Sequence, residues 1–153
     1  MNNLVKAVIL LSMLILFEKP AFAQKKKVIG IQKTACYGAC PVYTMDILNN
    51  CKVILRAEKF LEMGAGEFKS RLSKIKYEEL IHAFRQSGFF ELDEIYRSNV
   101  SDLPTTYFYF KDNGEAKTIE VYGKWPDDLT ALDKKLTALI DELKWKKVSN
   151  PKN

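Results

Sequence analysis

The pattern of apolar and polar residues predicts four β-strands in the first half of the chain. These segments are either apolar or alternate between apolar and polar positions, which is typical of strands with one buried face. They cover residues 28–34, 43–48, 52–60 and 67–72. Asn49-Asn50 separates the second strand from the third. Because asparagine tolerates the left-handed backbone of tight turns, we expect these two strands to form a hairpin.

A helix is predicted after the fourth strand. Tyr77, Leu80, Ile81 and Phe84 follow the i, i+3, i+4, i+7 spacing of one buried helical face. Ser73 precedes them and suits the N-cap position. A second helix is predicted to begin near Pro126, and its apolar stripe consists of Leu129, Leu132, Leu136, Leu139, Ile140 and Leu143.

Two further strands, residues 105–111 and 116–122, are predicted between the helices. Asn113-Gly114 separates them and favours a type I′ hairpin turn. The first of these strands carries aromatic residues on both faces. Phe108 and Phe110 are expected to lie under the helix residues Leu132, Leu136 and Leu139. Tyr107 and Tyr109 are expected on the opposite face, partly exposed and available to a partner.

The order of these elements, ββββαββα, indicates the fold class. Runs of strands interrupted by single helices are typical of α+β domains. We therefore expect an antiparallel sheet of about six strands with two helices packed on one face.

The first 23 residues are typical of a secretory signal peptide. Lys6 precedes an apolar run from Ala7 to Phe17, and Ala21-Phe22-Ala23 forms a small-x-small cleavage site. The run is about half the length of a membrane-spanning helix. Cleavage between Ala23 and Gln24 would leave residues 24–153 as a single domain with no transmembrane segment, in the periplasm or outside the cell. An uncleaved signal stays an open alternative.

Charge adds little to this prediction. Removing residues 1–23 takes away Lys6, Glu18 and Lys19, which lowers the formal net charge from +5 to +4. The cations are spread along the chain, with small clusters at Lys25-Lys26-Lys27 and at Lys144, Lys146 and Lys147 that are interpreted as solvated termini. No basic stripe interleaved with aromatic residues can be drawn, so no nucleic-acid partner is expected. A weak attraction to an anionic envelope surface remains compatible with this charge.

The segment Cys36-Tyr37-Gly38-Ala39-Cys40-Pro41-Val42-Tyr43 is the most distinctive in the chain. Cys51 would lie at the tip of the predicted hairpin, about 20 Å from Cys40 at the far end of the strand. Since the Cα atoms of a disulfide lie within about 7 Å of each other, the predicted bridge is Cys36–Cys40. Cys51 is then a free thiol at a turn.

Redox or copper chemistry is the alternative interpretation of this loop. Cys-x-x-x-Cys-Pro is similar to the copper-binding loop of copper-delivery proteins with a thioredoxin-like fold. That resemblance implies a distant histidine ligand and a helix after the cysteines. Here a strand is predicted after them, and His82, the chain's one histidine, falls on the polar face of the first helix. No hydrolase motif or phosphate loop is present, and we expect no catalytic residues, metal or other cofactor.

The chain also resembles a family of exported bacterial domains of unknown function. The resemblance rests on the cysteine motif together with Ser87-Gly88-Phe89-Phe90-Glu91-Leu92 and Asp102-Leu103-Pro104-Thr105-Thr106. It spans residues 28–143. The family usually has a glycine where this chain has Cys51, which agrees with an unpaired cysteine. The resemblance implies a fold and a compartment but no activity.

These observations lead to one functional hypothesis and one alternative. The hypothesis is a non-enzymatic binding or envelope-associated module whose partner is an unknown protein or envelope component. A purely structural role of the same residues, tying the first strands together, is equally open. The alternative function is an extracytoplasmic thiol-redox or copper-handling protein. The proposed binding residues are Cys36, Tyr37, Gly38, Cys40, Pro41, Tyr43, Asp102 and Pro104.

Overall fold

The structure, a computed structural model, describes residues 25–148. The predicted signal peptide and its cleavage site lie outside the described residues. Within the described range the chain forms, in order, β1 (Lys27–Lys33), β2 (Val42–Leu48), β3 (Lys52–Lys59), β4 (Gly66–Arg71), α1 (Lys74–Gln86), β5 (Ile95–Arg97), β6 (Thr105–Asp112), β7 (Glu115–Tyr122), α2 (Asp127–Glu142) and β8 (Lys146–Lys147).

The described strands form one eight-stranded sheet in the order β5-β7-β6-β1-β2-β3-β4-β8. All neighbours are antiparallel except β5 and β7, which pair in parallel. The α+β class is therefore confirmed. The predicted sheet of about six antiparallel strands was wrong, because the sheet is larger and mixed.

The two additional strands lie at the edges of the sheet and are very short. β5 has three residues and β8 has two, so neither is long enough to show an alternating pattern. The parallel pairing follows from the chain path. β5 precedes the β6–β7 hairpin and runs opposite to β6, so it can only be parallel to β7.

The core lies on one face of the sheet. Each central strand buries alternate residues on that face, for example Ile29 and Ile31 of β1 and Phe108 and Phe110 of β6. The buried stripes of α1 and α2 belong to the same hydrophobic cluster, so both helices cover this face, as predicted. Neither described helix combines the length and the apolarity needed to cross a membrane. We call the uncovered side of the sheet the open face.

Two turns lie together at one end of the sheet, which we call the turn end. At the β6–β7 hairpin both Asn113 and Gly114 have positive φ, 46° and 90°, as a type I′ turn requires. The β2–β3 turn is present as predicted, but its left-handed residue is Cys51 (φ 62°) and not either asparagine. The Cys51 amide donates to the carbonyl oxygen of Leu48 at 3.0 Å and closes this turn.

Candidate functional site

The loop between β1 and β2, residues 34–41, lies at the opposite end of the sheet. We call it the stapled loop, because a Cys36–Cys40 disulfide closes it with the two Cα atoms 5.8 Å apart. Both cysteines are half-buried, whereas Gly38 and Pro41 are exposed. The side chain of Tyr37 is 90% exposed. The disulfide ring therefore presents an aromatic side chain directly to solvent.

A second loop, residues 98–104 between β5 and β6, lies beside the stapled loop, and we call it the facing loop. The Tyr37 amide donates to the carbonyl oxygen of Asp102 at 3.2 Å. At the base of the two loops the Thr34 amide donates to the Thr105 carbonyl oxygen, and the Thr105 amide donates to Oγ1 of Thr34. This meeting follows from the β1–β6 pairing, which places Lys33 opposite Thr106.

The facing loop contributes the remaining predicted residues. Asp102 is exposed and has a left-handed backbone with φ of 67°, and Pro104 is half-buried. The two segments of the hypothesis, residues 36–43 and Asp102 with Pro104, thus lie together at this end of the sheet. Whether they bind a partner stays a prediction.

Large apolar side chains are exposed at this same end. Val100 and Leu103 of the facing loop are 56% and 37% exposed. Phe60, 58% exposed, directly follows β3, and the β2–β3 pairing of Val42 with Lys59 brings it to this end of the sheet. Hydropathy alone did not identify Phe60, Val100 and Leu103 as surface residues. Together with Tyr37 they form what we call the apolar end.

Tyr43 is the one predicted binding residue that does not reach the surface. It is 1% exposed, and its hydroxyl lies 3.4 Å from Oγ1 of Thr137 on α2. Burial raises the pKa of Tyr43 to about 12. Tyr43 therefore attaches the start of β2 to α2, and we correct its assignment from a contact residue to a supporting residue.

An ion pair beneath the stapled loop was not predicted from the sequence. Lys33, the last residue of β1, contacts the Asp133 carboxylate of α2 at 2.7 Å, and both side chains are about four-fifths buried. The Lys33 ammonium also lies 5.9 Å from the ring of Trp125. Lys33 and Tyr43 occupy paired positions on β1 and β2, so both strands that carry the stapled loop are attached to α2. The 100 residues that separate Lys33 from Asp133 explain why no local pattern revealed this contact.

Cys51 lies far from the stapled loop, at the turn end. It is a free, half-buried cysteine. Within residues 25–148 no group of three or more histidine, cysteine, aspartate or glutamate side chains is placed to hold a metal ion. After the cysteine motif the chain enters β2, where the copper-delivery proteins have a helix.

Residues 27–140 match the family described as Domain of unknown function (DUF6438). This match covers most of the chain, so the protein belongs to that family. No curated protein matches the chain.

Proposed function

We propose that the protein is an exported, non-enzymatic binding module that contacts an envelope protein through the stapled loop and the facing loop. The observation that carries the proposal is the presentation of Tyr37. Its side chain is 90% exposed, although its backbone is held by a disulfide ring and by a hydrogen bond to Asp102.

Such an arrangement favours binding for two physical reasons. A tyrosine supplies a large apolar area with few rotatable bonds, which is why tyrosine is enriched among the residues that dominate interface energies. A loop that is already rigid loses little entropy when a partner binds it. The ion pair Lys33–Asp133 and the Tyr43–Thr137 contact fix both strands beneath the loop, so the scaffold adds to this rigidity.

The chemistry of the surface indicates the kind of partner. Tyr37, Val100 and Leu103 are apolar, and Asp102 adds a carboxylate beside them. A partner with an apolar pocket and a nearby cation would complement this surface. The disulfide supports an exported protein, since disulfides persist in oxidising compartments.

Replacing Tyr37 with alanine is expected to weaken partner capture at least tenfold and to leave the stability unchanged within about 0.5 kcal/mol, because the side chain makes little contact with the fold. The measurement is quantitative mass spectrometry of proteins captured from envelope extract by the wild type and the variant. Ile75→Ala is the matched control, since Ile75 is 75% exposed on α1. If both variants lose the same captured proteins, or neither loses any, the apolar end is not the binding surface.

The cysteine pair separates binding from thiol or copper chemistry. Cys36→Ser/Cys40→Ser is expected to lower the free energy of unfolding by about 2 kcal/mol, as loop-closure entropy predicts for so small a ring, and to weaken capture without unfolding the domain. Chemical denaturation and the same capture experiment measure both effects. Cu(I) titration against a competing chelator tests the alternative. Tight Cu(I) binding by the reduced protein, lost in the double variant, would favour copper handling over our proposal.

A further inference from the structure

A basic groove lies on the open face at the turn end of the sheet, away from the stapled loop. Its volume is about 890 Å³. Six cations from four separate segments of the chain line it, namely Lys25, Lys52, Lys69, Arg71, Lys144 and Lys146. Strand pairing assembles them, because Lys52 lies opposite Arg71 and Lys69 lies opposite Lys146.

The positive charge of this groove is largely uncompensated. No acidic side chain is among its described lining residues. Lys69 contacts Glu67 at 3.2 Å, and Arg71 donates to the backbone oxygen of Asn50. Within residues 25–148 the ammonium groups of Lys52, Lys144 and Lys146 take part in no ion pair. A concave surface with charge of one sign concentrates its field and attracts anions.

The side chains of the groove favour one class of anion. Five of the six cations are lysines, which act as compact point charges on flexible stems, whereas two-pronged recognition of one particular carboxylate or phosphate is typical of arginine. No described lining residue is aromatic, so nucleic-acid bases would find no ring to stack on. Leu48 and Ile54 provide a half-buried apolar floor. A layer of mobile phosphate groups above an apolar layer, as at a phospholipid surface, would match both the lysines and the apolar floor of the groove.

The position of the groove in the chain agrees with this chemistry. Lys25 lines the groove, and seven residues separate it from the end of the apolar run Ala7–Phe17. If the signal peptide is not cleaved, this short separation in sequence ties the apolar run to a residue of the groove.

We propose that the basic groove docks the domain onto the anionic phospholipid surface of a membrane. This site is separate from the apolar end, which lies at the other end of the sheet. The domain would thus touch the bilayer with its turn end and present the stapled loop away from it.

The test measures binding of the chain from Gln24 onward, which retains every core residue from Ile29 to Ile140, to lipid vesicles. We expect sedimentation with vesicles that contain phosphatidylglycerol, no sedimentation with pure phosphatidylcholine vesicles, and release at high salt. Each lysine near an anionic bilayer contributes about a fivefold gain in affinity, so Lys52→Gln/Lys144→Gln/Lys146→Gln should weaken binding about 100-fold.

A control variant with the same net charge tests the location of binding. Lys124→Gln/Lys134→Gln/Lys135→Gln removes three exposed lysines that do not line the groove, and it should bind nearly as tightly as the wild type. Equal weakening in both variants, or failure of the wild type to bind the anionic vesicles, would overturn the proposal. Binding of polyglutamate with the same dependence on the groove lysines, in the absence of vesicle binding, would assign the groove to an acidic peptide instead.

Discussion

Phe108→Ala is expected to lower the free energy of unfolding by about 3–5 kcal/mol, one of the largest losses available to a single substitution in this domain. Phe108 is fully buried in the middle of β6, between β1 and β7. Its ring packs edge-on against Trp125, with 5.6 Å between the ring centroids. Truncation would leave a cavity that the surrounding strands cannot close without losing hydrogen bonds. Chemical denaturation measures the loss.

Tyr107→Ala provides the matched control from the same strand. Tyr107 points to the open face and is half-buried, so we expect its truncation to cost about 1 kcal/mol. Both substitutions remove an aromatic ring from neighbouring positions, so strand propensity changes equally. A greater loss from Tyr107→Ala than from Phe108→Ala would mean that the two faces of β6 are reversed.

The faces of β6 were predicted correctly, but the ring contacts of Phe110 were not predicted. Phe108 and Phe110 are both fully buried on the helix-covered face, and Tyr107 and Tyr109 are half-buried on the open face. Phe110, however, stacks against rings at α1 and the segment after it, with centroid distances of 4.8 Å to Phe84, 5.8 Å to Phe89 and 5.4 Å to Phe90. The alternation of side chains along a strand assigns each residue to one face of the sheet. The order of the strands in the sheet decides which helix lies above that residue.

The candidate site shows the same division between local and long-range information. The alternation of Tyr43 with Met45 and Ile47 already placed Tyr43 on the buried face, so its burial could have been predicted from the sequence. The contact between Tyr37 and Asp102 depends on β1 pairing with β6, and no local pattern specifies that pairing. The basic groove depends on the register of β3, β4 and β8. Its cations come from segments that are distant in sequence, and the clusters that contain Lys25 and Lys144 were interpreted only as solvated termini, so the groove was not predicted.

Gly123 provides the second test with a large expected effect, at the base of the facing loop. Gly123 directly follows β7 and has a φ of 89°. A Cβ atom at this position would lie 1.8 Å from Oγ and 2.7 Å from Cβ of Ser98. Ser98 cannot simply rotate its hydroxyl away, because its own Cβ is also too close and its amide is bonded to the Tyr122 carbonyl oxygen.

Gly123→Ala is therefore expected to lower the free energy of unfolding by about 2–4 kcal/mol, combining left-handed backbone strain with overpacking. Gly114→Ala is the control, since Gly114 has nearly the same φ, 90°, and a Cβ atom there would meet nothing within 4 Å; it should cost only the strain, about 1 kcal/mol. Chemical denaturation of both variants isolates the contact with Ser98.

Because Ser98 begins the facing loop, Gly123→Ala should also weaken partner capture, while Gly114→Ala should not. Equal losses of stability in the two variants would show that Ser98 moves away from the added Cβ atom at little cost, and that the facing loop is not rigidly held.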